Sequence, residues 1–191
     1  ELTRYSRHIK LNKVGIDGQE KLKSAKVLVI GAGGLGCPVL QYLTAAGVGT
    51  LGIVDGDTVD ESNLQRQILF TQTDLKKPKA KTAALKLKQQ NKHVNFKVVD
   101  THVNKENIIQ LIRNFDIVVD CTDNFPTRYL INDACILENK PLVFGAIHQF
   151  EGQISVFNYQ DGPSYRCIFP KASDIPNCTD AGVLEVLPGI I

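Results

Sequence analysis

Residues 26–36, Lys26-Val27-Leu28-Val29-Ile30-Gly31-Ala32-Gly33-Gly34-Leu35-Gly36, decide how this chain is read. A short apolar strand runs straight into a turn built on Gly31, Gly33, Gly34 and Gly36. Such a turn lets successive backbone N–H groups face a phosphate at the start of a helix. Any Cβ there would block both the tight turn and the close approach of the ligand. Residues 37–46 are mostly apolar and read as the helix that follows; Pro38 falls in its first turn, where the N–H has no helical partner anyway. Residues 50–54 read as a second strand ending in Asp55, 24 residues after Gly31, where the Rossmann fingerprint places its ribose-binding acid. Strand, glycines, helix, strand and acid come in order. A nucleotide site is therefore expected, rather than a glycine turn that merely packs a helix on a sheet.

Outward from this unit the signals alternate. Residues 1–23 read as one or two short helices outside the sheet, residues 79–90 as a helix after Pro78, 96–99 as a strand and 105–114 as a helix. Residues 116–121 are an apolar run between acids, the mark of a central parallel strand. A helix over 127–138 and a strand over 141–147 follow. Strands alternating with helices argue an α/β fold, doubly wound around a mainly parallel sheet. Residues 153–157 alternate polar and apolar, which predicts an antiparallel addition at the sheet edge after residue 150. Residues 159–181 show little periodicity and read as a long loop, of the kind that is often functional.

Composition narrows the class. With 191 residues, 43% hydrophobic and 22% charged, the chain reads as one domain with a sizeable core. A net charge of +2 gives no ground for a nucleic-acid or membrane-surface partner, and no apolar run approaches the roughly 20 residues of a membrane helix. Five cysteines without framework spacing fit free thiols in a reducing cytoplasm. The chain has no methionine and ends on the apolar stretch 187–191, so a longer native chain with further C-terminal elements is expected.

A glycine turn does not separate a dehydrogenase from an ATP user; the polar residues after it do. Asp57, Asn63, Arg66 and Gln67 follow Asp55 within one short segment. A triphosphate needs cations and a metal ligand. Arg66 and Lys79 can supply the cations; the plain alternative for Arg66 is a surface arginine, and on composition alone Lys79, among Lys76, Lys77, Lys81, Lys86 and Lys88, reads as one more solvated lysine. Asp123, in Cys121-Thr122-Asp123-Asn124 after the apolar run, lies where parallel sheets place ligands, at a strand's carboxyl end. It is suited to Mg2+, an ion usually held by one or two carboxylates plus substrate phosphates. The plain alternative is a helix N-cap, a role open to Asn124 instead.

Arg4-Tyr5-Ser6-Arg7, GAGGLG, VDGDTV, SNLQRQ, PKA and CTDN, in this order and spacing, resemble the MoeB/ThiF family, the bacterial relatives of ubiquitin-activating enzymes, and within it the molybdopterin-synthase branch. The resemblance spans essentially all of 1–191, as a single ATP-binding adenylation domain. It implies ATP- and Mg2+-dependent adenylation of the C-terminal glycine of a small ubiquitin-like sulfur-carrier protein ending in Gly-Gly, with release of pyrophosphate, for molybdopterin or thiamine biosynthesis. It further implies that Gly34 lies against the phosphates, that Asp55 binds the ribose, and that Asn63, Arg66 and Lys79 serve the triphosphate. Asp123 matches the metal-linked aspartate. Arg7 matches an arginine that reaches the ATP site of the other subunit of a homodimer. Two readings compete. An NAD-dependent oxidoreductase accounts for the glycines and Asp55 but leaves Arg66, Lys79 and Asp123 without roles. A non-catalytic subunit of an activating-enzyme heterodimer would have no need to keep that set.

The pattern departs from the family at its cysteines. Many members hold a structural zinc with two CxxC pairs, and the first would fall at Ser164-Tyr165-Arg166-Cys167. Serine replaces a thiolate ligand there, so zinc is expected to be absent. Cys178 matches a cysteine implicated in sulfur transfer or thioester formation in ThiF-like relatives. The neighbouring charge, Asp180, has the wrong sign to activate a thiol, which favours an inert loop cysteine. Cys37, Cys121 and Cys135 are expected in the core.

Overall fold

The computed structural model describes residues 3–171 and 182–191. Among these residues six strands form one sheet: β1 Lys26–Ile30, β2 Thr50–Val54, β3 Asn95–Val99, β4 Ile117–Asp120, β5 Leu142–His148 and β6 Glu151–Phe157. Their spatial order is β3-β2-β1-β4-β5-β6. The first five run parallel, and β6 turns back antiparallel on β5, with Gly145 opposite Ile154. After β1 the chain builds outward to β2 and β3, then crosses to β4 on the other side. The strand order therefore reverses between β1 and β4, the place where open α/β sheets bind ligands.

Among the described residues, seven α-helices accompany the sheet: α1 Ser6–Ile9, α2 Gly15–Ser24, α3 Gly36–Ala46, α4 Lys79–Gln90, α5 Ile108–Arg113, α6 Phe125–Leu137 and α7 Tyr165–Ile168. Strand alternation sends side chains to two cores. Val27 and Val29 join Leu40 of α3 and Leu87 of α4 in one apolar cluster, whereas Leu28 and Ile30 join Ile112 of α5 and Ile131 of α6 in another. Both faces of β1 are thus covered, which is why it reads as a continuous apolar run. α1 and α2 lie outside the sheet but are tied to it. Buried Asn91 donates to the Tyr5 hydroxyl and to the Thr44 carbonyl, both at 2.8 Å, and Gln19 donates to the Ala46 carbonyl at 2.8 Å.

Several boundaries differ from the sequence reading by a few residues, and one helix was not expected. α5 spans only Ile108–Arg113, because side chains hold the preceding turn: the N–H groups of Glu106 and Asn107 donate to Asn104 Oδ1, and Asn107 Nδ2 donates to the His102 carbonyl. α6 starts at Phe125 rather than 127, since Asn124 is its N-cap and accepts the Thr127 N–H at 3.0 Å. β6 starts at Glu151 rather than 153. Inside the expected loop stands α7, a single turn without periodicity of its own. It forms because Tyr165 is buried against Phe144, Phe157 and Phe169 and its N–H donates to Asn132 Oδ1 at 2.9 Å. No helix among the described residues is long and apolar enough to cross a membrane.

Candidate active site

At the carboxyl ends of β1, β2 and β4 lies a cleft of about 670 Å3. Its floor is the glycine turn. Gly31 has φ of +98°, and a Cβ there would sit 2.7 Å from the Cys121 carbonyl oxygen. A Cβ on Gly36 would overlap the Gly31 carbonyl, so α3 can start this close to β1 only with glycine. Gly31, Gly33 and Gly34 line the cleft; Gly36 does not, and its part is packing. A Cβ on Gly34 would meet nothing nearer than Pro188 at 3.4 Å and Arg66 at 3.5 Å. The backbone at Gly34 is therefore approachable from the cleft.

Asp55 ends β2 beside this turn. Its Oδ2 accepts the Ala32 N–H at 2.7 Å, and its Oδ1 accepts the Asp57 N–H at 2.8 Å. Burial raises its pKa; the two backbone donors and the Lys79 charge oppose that shift. Lys79, the first residue of α4, is 5% exposed and places its ammonium 3.3 Å from Asp57 Oδ2. A bridge between Thr58 and Pro78 and a hydrogen bond from the Lys79 N–H to the Asp57 carbonyl hold the two segments together. Asn63 ends a short helical turn, Glu61–Asn63, capped by the Asp60 carboxylate, and Arg66 follows three residues later. The Arg66 guanidinium donates to the Ser62 carbonyl at 3.4 Å. Across the cleft, Asp123 follows β4, is exposed, and takes a 3.5 Å contact from Asn124 Nδ2.

The structure thus brings Gly31, Gly33, Gly34, Asp55, Asp57, Asn63, Arg66, Lys79 and Asp123 together around one cleft. Two cations, two exposed carboxylates and a glycine turn suit a polyphosphate with a divalent cation. Among the described residues, no group of three His, Cys, Asp or Glu side chains is assembled for a metal ion. A metal here would take one or two carboxylates, Asp123 and Asp57, plus phosphate oxygens, as Mg2+ usually does.

Arg7 does not line the cleft; it is exposed on α1 between buried Tyr5 and His8, whose Nδ1 lies 3.1 Å from Gln19 Oε1. Cys178 lies outside the described residues. Cys37, Cys121 and Cys135 are buried, and burial pushes the thiols of Cys37 and Cys135 up to about 12 and that of Cys121 up as well, so all three are inert. Cys167 is exposed, and the Ser164 hydroxyl, 3.3 Å away, lowers its pKa.

Three further residues line the cleft: Gln67, which the sequence reading named without giving it a role, and His102 and Arg128, which it passed over. Gln67 is 3% exposed, and its Oε1 has no hydrogen-bond partner. Its place in the Asn63–Arg66 segment was the available signal. His102 stands 3.6 Å from Asp57 Oδ1, and Arg128 enters from α6. Neither carries a local motif.

A ThiF family model matches residues 5–191. The sulfur carrier protein adenylyltransferase of Thermus thermophilus is 51% identical over 199 residues, covering all of this chain and 73% of that protein. The Xenopus laevis adenylyltransferase and sulfurtransferase MOCS3 is 48% identical over 194 residues; this chain spans 43% of its length. Among solved structures, Escherichia coli MccB with succinimide superposes with a TM-score of 0.82 at 24% identity, over 98% of this chain and 59% of that one, a likeness in fold.

Proposed function

The chain belongs to the ThiF family, and we propose that it is an ATP-dependent adenylyltransferase acting on the C-terminal glycine of a ubiquitin-like sulfur-carrier protein. The observation that carries this reading is the meeting of Arg66, Lys79 and Asp123 around the same cleft as the glycine turn and Asp55. A dinucleotide gives those three residues nothing to do, which disfavours an NAD-dependent oxidoreductase. An inactive subunit would not need them.

The carrier's terminal carboxylate attacks the α-phosphorus of ATP. A new C(O)O–P bond forms, the bond from the α-phosphorus to the bridging oxygen breaks, and pyrophosphate leaves with that oxygen. The nucleophile is already ionised, so no general base is required. Catalysis is then positioning and charge neutralisation. Gly33 and Gly34 bring backbone against the phosphates, Asp55 takes the ribose, and Arg66 and Lys79 offset the charge developing on the leaving group. Lys79 enters the site paired with Asp57 and is aimed by that ion pair. Mg2+ at Asp123 would neutralise phosphate charge when bound. A cytoplasmic location fits the free thiols of the four described cysteines.

Arg7 completes the site of a neighbouring copy in a symmetric dimer. Its exposure on an anchored helix, away from its own cleft, supports that role. In a two-fold dimer the contact occurs twice. Arg7→Ala and Asp123→Ala should each be nearly dead as homodimers. Heterodimers of the two contain one site with both residues intact, so mixing should restore part of the pyrophosphate exchange measured with a Gly-Gly-ending carrier. If subunit exchange is demonstrated and the mixture stays inactive, Arg7 does not act in trans. If the wild type supports no carrier-dependent exchange while binding NAD, the adenylation reading fails.

A further inference from the structure

Thr122 has three backbone and side-chain polar groups, and all three are gripped. Asp120, the last residue of β4, is 1% exposed. Its Oδ1 accepts the Thr122 N–H at 2.9 Å and the Thr122 hydroxyl at 2.7 Å. From α6, the guanidinium of Arg128, 8% exposed, donates through Nη2 to the Thr122 carbonyl at 3.1 Å. A buried acid and a buried cation therefore hold one loop residue from two elements. Neither is fully satisfied: Asp120 Oδ2 and Arg128 Nε have no hydrogen-bond partner. No ion pair joins Asp120 to Arg128 among the described residues; the cation rests instead over the rings of Phe125 and Phe144, 5.4 and 5.5 Å from their centroids.

Burying charge this way is costly, and a strand end that needed only packing would be cheaper with an apolar or amide residue. The arrangement fits a demand for direction. The next residue is Asp123, whose carboxylate faces the cleft with only the 3.5 Å contact from Asn124 to steady it. Its aim is set by the backbone on either side, by Thr122 before it and by the Asn124 cap after it. A metal-linked carboxylate must be held to within about 0.5 Å to work.

We propose that Asp120, acting with Arg128 through Thr122, is a positioning residue that fixes the direction in which Asp123 presents its carboxylate to the cleft. The proposal rests on the reading of Asp123 as a nucleotide-site residue. It adds to the site two buried residues and a threonine, none of which touches the reacting atoms through this clamp.

Two measurements on the whole chain test it: NMR hydrogen exchange at the Thr122 amide, and the Mg2+ concentration that gives half-maximal ATP binding by calorimetry. Asp120→Ala removes both acceptor contacts, so exchange at Thr122 should be about tenfold faster or more, and the Mg2+ requirement should rise several-fold. Asp120→Asn keeps an oxygen that can accept both bonds and should restore both readouts toward wild type. Thr122→Val, which deletes only the hydroxyl, stands in if Asp120→Ala does not fold, with changes in the same direction. Unchanged protection at Thr122 in these variants would overturn the clamp. Lost protection with an unchanged Mg2+ requirement would reduce Asp120 to a structural residue. Should the wild type bind ATP yet catalyse no carrier-dependent exchange, the adenylation reading falls while these two measurements still decide the clamp.

Discussion

Replacing Gly31 and Gly34 separately by alanine splits the glycine turn into a folding part and a binding part. At Gly31 the φ of +98° alone costs an L-residue roughly 1–2 kcal/mol. The new methyl would also sit 2.7 Å from the Cys121 carbonyl oxygen, a backbone atom at the end of β4 that cannot swing aside. Relieving such an overlap costs about 1–3 kcal/mol more. The sum, about 2–5 kcal/mol, is a large share of the roughly 5–15 kcal/mol that stabilises a typical domain. For a chain of this size it corresponds to a fall in Tm of about 5–20 °C. Gly34 lies outside the left-handed region, and its nearest prospective contacts, at 3.4 and 3.5 Å, are ordinary. Gly34→Ala should therefore melt within about 2 °C of wild type. Its methyl would nonetheless project beside Arg66 and Pro188, where phosphate has to approach backbone, and ATP affinity should fall about tenfold or more, about 1.4 kcal/mol. Thermal melts give the first quantity and calorimetric titration with MgATP the second. A Gly31→Ala protein that melts like wild type would refute the steric argument, and a Gly34→Ala protein with unchanged ATP affinity would remove the turn from the phosphate site.

Lys79→Met should change stability little, because its partner Asp57 stays solvent-facing with its side chain 57% exposed, yet it should cut pyrophosphate exchange by roughly 100-fold or more; equal loss of fold and activity would contradict this. Burial pushes the Asp120 pKa from 3.8 up to about 6, so its stabilising contribution is complete below pH 3.8 and is lost as pH rises through about 6. Wild type minus Asp120→Asn stability should accordingly fall by about 2 kcal/mol between pH 4 and pH 7 in urea titrations, and a flat difference would show that Asp120 does not titrate there. Metal analysis of the purified chain should give well under one zinc per molecule; stoichiometric zinc would mean that Cys167 has thiolate partners beyond Ser164. Cys178→Ala should leave pyrophosphate exchange at the wild-type rate, since forming an acyl-adenylate needs no thiol.

The glycine turn, Asp55 and the alternation of strands with helices were legible from residues 26–55 outward because each depends on short-range geometry. A turn needs glycine where it bends and where backbone meets backbone, and a strand covered on both faces must be apolar throughout. The motif order carried the family as well. What the linear order hides is which polar side chain ends up buried and against what. Lys79 sits in a lysine-rich helix, where nothing local distinguishes it from Lys81. Only the docking of α4 on the sheet leaves the Lys79 side chain 7% exposed beside Asp57 while that of Lys81 stays 61% exposed beside Asp100. Asp120 looks like the boundary of an apolar run, yet the parallel neighbours β1 and β5 bury it and turn it back on Thr122. His102 and Arg128 reach the cleft from β3's exit and from α6, elements whose meeting at the switch point is a property of the crossing order and not of any local pattern. Local chemistry is written in neighbouring residues, whereas burial and the company a charge keeps depend on which faces the whole fold closes together.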